Sequence, residues 1–188
     1  MTKPVAERAE LLALLGEVFR AHGYDGATLA LITEATGLGK GSLYHYFPGG
    51  KQQMAAEVLD EIDRWFEVNI FALLRESDDP GRAVAAMIKG VDGYFRSGRR
   101  VCLVGVIALG ASRDSFTAQV HEYFARWHNA LAAVLRRSGF TAGVARQRAE
   151  DALLTIQGAL VLARARDDAK IFRRAMAELK TRLLEPSR

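Results

Sequence analysis

The amino-acid sequence predicts an all-α fold. Apolar residues recur at three- and four-residue spacing along almost the whole chain, the period of a helix with one buried face. There are only four prolines in 188 residues, and none interrupts such a stretch. Most stretches also open on Thr or Asp and close on Gly, the side chains that satisfy or terminate helix ends.

Taken in order, residues 5–22 form a first helix with Leu11, Leu12, Leu15, Val18 and Phe19 on one face, and Gly23 ends it. Thr28 caps a second, Leu29 to Thr36, followed by the turn Gly37-Leu38-Gly39. A third, Lys40 to Phe47, stops before Pro48-Gly49-Gly50. The fourth runs from Lys51 to about Arg75 with Met54, Val58, Leu59, Ile62, Trp65, Phe66 and Ile70 inward. Asp79 then caps, with Pro80 in the first turn of a fifth helix reaching Arg96. The sixth, about Arg100 to Gly110, is almost wholly apolar and is expected to be buried. Asp114 is expected to cap a seventh to Ser138, closed by Gly139, and Thr141 an eighth to Arg166. Asp167 or Asp168 opens a ninth, carrying Ile171, Phe172, Met176, Leu179 and Leu183. No internal repeat or low-complexity tract is present.

Composition narrows the class. Hydrophobic residues at 49% and charged residues at 26% are ordinary for a globular protein. The longest uncharged apolar run, Val101 to Ala111, is far short of the ~20 residues that span a bilayer. The N-terminal stretch lacks the apolar core of a signal peptide, and the single cysteine, Cys102, excludes an internal disulfide. A cytoplasmic protein without a membrane partner is expected. The net charge of +4 suits a nucleic-acid partner, yet residues 1–50 hold four basic and five acidic side chains, so charge alone does not locate an interface.

The stretch from Thr28 to Phe47 does locate one. Two short helices meet at a glycine turn, and the second is too short to be stable alone. Leu43 and Phe47, four apart, bury one face of it, whereas Lys40, Ser42, Tyr44, His45 and Tyr46 are left to present outward. That is the logic of a helix-turn-helix, whose second helix enters the DNA major groove. LITEATGLGKGSLYHYF, with Phe19, Gly23-Tyr24, Thr28 and Lys51 around it, resembles the DNA-binding signature of the TetR family of transcriptional regulators. Pro48-Gly49-Gly50 is one residue longer than the common family form and is similar to the LmrA/YxaF-like branch. Gly39 and Thr33 stand where the family often has Ser and Ala.

The resemblance implies a nine-helix TetR-like architecture: a DNA-binding domain over residues 1–50, then a ligand-binding and dimerisation domain over 51–188. It implies a sequence-specific regulator, expected to be a repressor released from a palindromic operator by a small apolar molecule. The residues expected at DNA are Thr28, Lys40, Gly41, Ser42, Tyr44, His45, Tyr46 and Lys51, which could reach phosphates or base edges. Trp65, Phe66, Met87, Tyr94 and Phe95, with Cys102, Phe116, Tyr123, Phe124 and Trp127, are candidates to line an effector pocket. Stripes at helical spacing are usually plain core, and for any single residue that reading is the favoured one. The last two helices look like a homodimer-forming pair, through Leu153, Ile156, Gly158, Ala159, Leu160, Phe172 and Met176. A helical small-molecule-binding or adaptor protein without a DNA role is the alternative. An enzyme is disfavoured, because no nucleophile–base motif, phosphate loop or metal set is visible and no cofactor is implied.

Overall fold

The computed structural model describes residues 3–185, with side chains from Arg8 onward. Among them the regular elements are helical: α1 Lys3–Gly26, α2 Leu29–Thr36, α3 Lys40–Tyr46, α4 Gly50–Phe66, α5 Ala72–Glu76, α6 Pro80–Tyr94, α7 Leu103–Leu109, α8 Thr117–Arg137, α9 Ala142–Ala165 and α10 Ala169–Arg182. A π turn, Glu67–Phe71, joins α4 to α5 without a break, so these helices make nine runs, as the periodicity predicts.

The end signals act where they were expected. The Thr28, Asp79, Thr141 and Asp168 side chains accept from backbone N–H groups in the first turns of α2, α6, α9 and α10. Gly23 is non-helical (φ 68°) and breaks α1, although one further turn follows it. Two expectations fail. Asp114 does not cap α8: it lies in a 3-10 segment, Ala111–Phe116, and the helix opens at Thr117, whose hydroxyl donates to the Arg113 and Asp114 carbonyls. α7 is shorter than the apolar run and leaves Leu109 87% exposed. The fourth helix runs on to Glu76, close to the expected end, with the π turn adding a residue to one of its turns.

By compactness the chain forms two units, divided differently from the functional boundary expected after residue 50. One contains the residues up to Arg64 together with Leu103–His121; the other contains Trp65–Cys102 and the chain from Glu122 on. In the first, Leu15, Phe19, Ile32, Leu43, Phe47 and Met54 are all fully buried. A polar clamp surrounds them: Arg8 donates to both Glu57 carboxylate oxygens (2.6 and 2.7 Å) and to the Tyr46 carbonyl (3.2 Å), with its guanidinium over the Phe47 ring.

In the second unit the π turn sits beside the aromatic core. With one extra residue in that turn, Phe66, Ile70, Phe71 and Leu74 all reach the interior and none is exposed. Gly90 on α6 lies opposite, where a Cβ would stand 2.7 Å from Ile70 Cδ1, the movable end of that side chain. On its outer side Glu67 accepts from Arg75 and from Arg126 Nη1 at 3.4 Å. The Arg75 hydrogen bond, with the Arg75 and Arg126 charges, holds the Glu67 carboxyl below the usual carboxylate range against its partial burial. Arg137 donates to the Leu74 carbonyl and covers the last turn of α5.

Candidate nucleic-acid interface

The turn between α2 and α3 is closed by Gly37 in the left-handed region (φ 68°), whose N–H bonds back to the Thr33 carbonyl at 2.9 Å. Thr36 steadies the exit by donating to Ile32 O (2.7 Å) and accepting from Leu38 N (3.3 Å). Gly39 precedes α3 without a capping side chain. α3 is then held from beneath by Leu43 and Phe47, both completely buried, and from its C-terminal end by Arg8 on the Tyr46 carbonyl.

The rest of α3 as far as His45 faces outward. Lys40, Gly41, Ser42, Tyr44 and His45 are exposed, and Tyr44 keeps 46% of its surface. Among the described residues the side chains of Lys40, Ser42, Tyr44 and His45 have no hydrogen-bond or ion-pair partner. A Cβ built on Gly41 meets nothing within 4 Å, so packing inside the protein does not require glycine there. Thr28 is exposed but its hydroxyl oxygen accepts from Leu31 N at 3.3 Å, which leaves its proton free to donate outward.

Two expected contacts are placed differently. Tyr46 is half-buried, its ring edge-on to His45 and tilted against Phe47. Lys51 is committed inward: Nζ donates to the Tyr24 carbonyl at 2.9 Å and lies 4.5 Å from the centre of the Tyr24 ring. Partial burial, reinforced by Asp25, pushes the Tyr24 phenol up and keeps it neutral. Lys51 therefore anchors the end of α1 to the start of α4.

Nine of the ten side chains expected around an effector fall in the second unit. Phe66 is their hub, with ring centres at 5.2 Å from Trp65, 4.8 Å from Tyr94, 6.1 Å from Phe95, 5.0 Å from Tyr123 and 5.1 Å from Trp127. Phe124 packs edge-on to Tyr123, while Met87 and Cys102 are buried. Trp127 is entirely buried, and its indole N–H has no acceptor. Phe116 is the exception: it belongs to the first unit and packs edge-on to Tyr24 at 5.1 Å.

The expected dimer contacts also divide. Ile156, Ala159, Leu160, Phe172 and Met176 are buried within the chain, on the helices α9 and α10 that pack together. Leu153 is half-buried and Gly158 is exposed. The opposite face of α9 carries Leu154, Val161 and Leu162, exposed by 65, 59 and 53% around Gly158. Their spacing was visible in the sequence, but α9 is apolar on both sides and periodicity does not say which side the chain itself consumes.

No helix among the described residues is long and apolar enough to cross a membrane. No group of three or more His, Cys, Asp or Glu side chains among them could hold a metal ion.

Residues 80–178 match the family described as "Transcriptional regulator LmrA/YxaF-like, C-terminal domain", and residues 11–58 match "Bacterial regulatory proteins, tetR family". The chain is 28% identical to the HTH-type transcriptional regulator LmrA of Bacillus subtilis, over 82% of this chain and 85% of that one. Its fold is similar to that of a TetR-family regulator from Agrobacterium tumefaciens, with a TM-score of 0.82 and 24% identity over 96% of this chain and 98% of the other. A second relative in fold is the regulator CifR, solved with 26-bp double-strand operator DNA: TM-score 0.70, 23% identity, 90% and 95% coverage.

Proposed function

The chain belongs to the TetR family of bacterial regulatory proteins and carries an LmrA/YxaF-like C-terminal domain; from that premise we propose that it is a repressor, reading a palindromic operator with α3 and leaving it when a small molecule enters the second unit. That it is a DNA-binding transcriptional regulator follows from the family. The observation that carries the reading of its surface is α3: a helix pinned by Leu43, Phe47 and Arg8, whose Lys40, Ser42, Tyr44 and His45 have nothing to bond to inside the chain.

In this reading α3 lies in the major groove. Gly41 lets the helix backbone approach the duplex, Lys40 and His45 reach base edges or phosphates, and Ser42, Tyr44 and Thr28 donate to phosphate oxygens. Tyr46 contributes the accessible part of its ring. Lys51 serves the scaffold and is left out of the interface. Residues 1–50 then hold the recognition unit, and residues 51–188 hold the effector and dimer functions.

One recognition helix spans too few base pairs to be selective. A two-fold dimer offers two, about 34–36 Å apart for half-sites one helical turn apart. Leu154, Gly158, Val161 and Leu162 of α9 form the face that a second copy covers. The effector is an apolar, aromatic molecule that slides among Phe66, Tyr94, Tyr123 and Trp127, and the unpaired indole N–H of Trp127 favours one with a hydrogen-bond acceptor. The protein acts in the cytoplasm, as a regulator rather than an enzyme.

The test is operator affinity, measured by fluorescence anisotropy across a salt series. Tyr44→Ala and Lys40→Ala should each weaken binding with an unchanged thermal midpoint. Loss of a phosphate contact lowers affinity evenly across sequences and reduces the salt slope by about one. Loss of a base contact costs about 1–3 kcal/mol and relaxes preference at one position. Unchanged affinity in both variants would remove α3 from the interface.

A further inference from the structure

Beside the start of α10 there is an open depression of about 530 Å³ that none of the roles above uses. Its walls come from the turn after α6, the C-terminal end of α9 and the first turn of α10. Four cations line it, Arg99, Arg164, Lys170 and Arg173, against two carboxylates, Asp167 and Asp168. All four cations are exposed, and among the described residues none of them has an ion-pair or hydrogen-bond partner for its side chain. Asp167 pairs with none of them, and Asp168 accepts from Lys170 N at 2.9 Å to cap α10. The rim thus holds an excess of two positive charges around one concavity.

The backbone beneath is fixed in an unusual shape. Arg96, Ser97 and Gly98 have φ of 50°, 53° and 89°, and Asp167 across the depression has φ 48°. Only glycine fits at position 98, because a Cβ there would stand 2.5 Å from Phe172 Cβ and 3.5 Å from Ala163 Cβ. That contact seats the turn against both α9 and α10. The neighbouring N–H groups are already used: Gly98 N bonds to Phe95 O, Arg99 N to Arg96 O, Asp167 N to Arg164 O and Asp168 N to Ala163 O. Recognition in this depression therefore rests on side chains, three guanidinium forks and one ammonium, displayed from a rigid floor.

We propose that this depression binds a small phosphate-bearing anion, giving the regulator a second ligand site. The volume lies within the range of small-molecule sites. A guanidinium fork matches a phosphate with two parallel hydrogen bonds, and an ammonium adds a point charge. The local excess of two charges suits the class: a phosphate monoester carries about two negative charges at neutral pH and a diphosphate more, whereas a single carboxylate leaves half of the excess unopposed. The residues lining it are none of those assigned to operator reading or to the aromatic interior.

The test uses the full chain and inorganic pyrophosphate, titrated by calorimetry at low and at physiological salt. The expected result is one saturable site per protomer that weakens with salt. Arg99→Gln and Arg173→Gln should each reduce affinity about tenfold, as loss of a hydrogen bond to a charged group implies. Arg173→Lys should lose less than Arg173→Gln, because it keeps the charge and gives up only the fork. Both positions are on the surface, so the variants should melt with the parent. Absence of saturable pyrophosphate binding by the parent would overturn the proposal, as would a double variant that binds it equally well. So would a double variant that loses operator affinity while its pyrophosphate affinity stands, which would give these cations to DNA.

Discussion

Replacing Leu154 with Glu should dissolve the dimer while leaving the protomer folded. Burying an exposed leucine is worth about 1.5–3 kcal/mol. At 65% exposure, Leu154 has about 1–2 kcal/mol of this to gain from a partner. A two-fold axis counts the residue twice, giving about 2–4 kcal/mol, and the new carboxylate adds a desolvation cost. Leu154→Glu should therefore weaken association by about thirtyfold or more. Together Leu154, Val161 and Leu162 are equivalent to nearly two fully exposed side chains per protomer, about 5–10 kcal/mol across the axis. Association itself costs about 4–15 kcal/mol, so the proposed dimer needs flanking surface beyond this stripe. Sedimentation velocity over a concentration series reads the association constant, and circular dichroism confirms the helices. Operator affinity should fall in parallel, because a monomer reaches one half-site. A Leu154→Glu protein that sediments as the parent does, at every concentration, would refute the assignment of this face. Ala159 offers no such test: it is 6% exposed, and a charge there would damage the packing of the protomer itself.

Two further outcomes are expected. Glu67→Gln should cost about 1 kcal/mol or less at neutral pH, since the ion pairs are partly exposed. The folded-state pKa of Glu67 is lowered, so its stabilisation is complete above the unfolded pKa and is lost as pH falls through the folded value. The difference in thermal midpoint between parent and variant should shrink on acidification; a constant difference would show that the Glu67 charge contributes nothing. An aromatic effector should quench the fluorescence of Trp65 and Trp127 saturably and weaken operator binding, and operator DNA should weaken effector binding by the same factor. A tight ligand without effect on operator affinity would leave an interior site with no regulatory role.

Much of this was legible in the chain because short-range chemistry decided it. Thr28, Asp79, Thr141 and Asp168 mark helix starts with one side chain each, and Gly37 marks the turn that orients α3. The outward face of α3 followed from Leu43 and Phe47 alone. What depends on the third dimension was not legible. Lys51 looks like a phosphate ligand until Tyr24 is beside it. Phe116 reads like its aromatic neighbours in sequence, but it packs with Tyr24 in the other unit. Asp114 has the chemistry of a cap, yet it is absorbed in a 3-10 segment. The two apolar faces of α9 have the same period, and only the packing of α10 separates them.

The π turn at Glu67–Phe71 acts as a phase shift in an otherwise continuous screw. Each residue advances an α-helix by about 100° and 1.5 Å, so one added residue moves everything after it out of step with everything before it. Without that shift, the inward position now filled by Leu74, fully buried, would pass to Leu73, which is 44% exposed. The two sides of the turn are thus separate frames of one helix. Loss of one solvent-facing residue such as Val68, 64% exposed, should turn the stretch into a plain α-helix and leave Leu74 in its inward place. In this stretch the number of residues carries information that their identities do not.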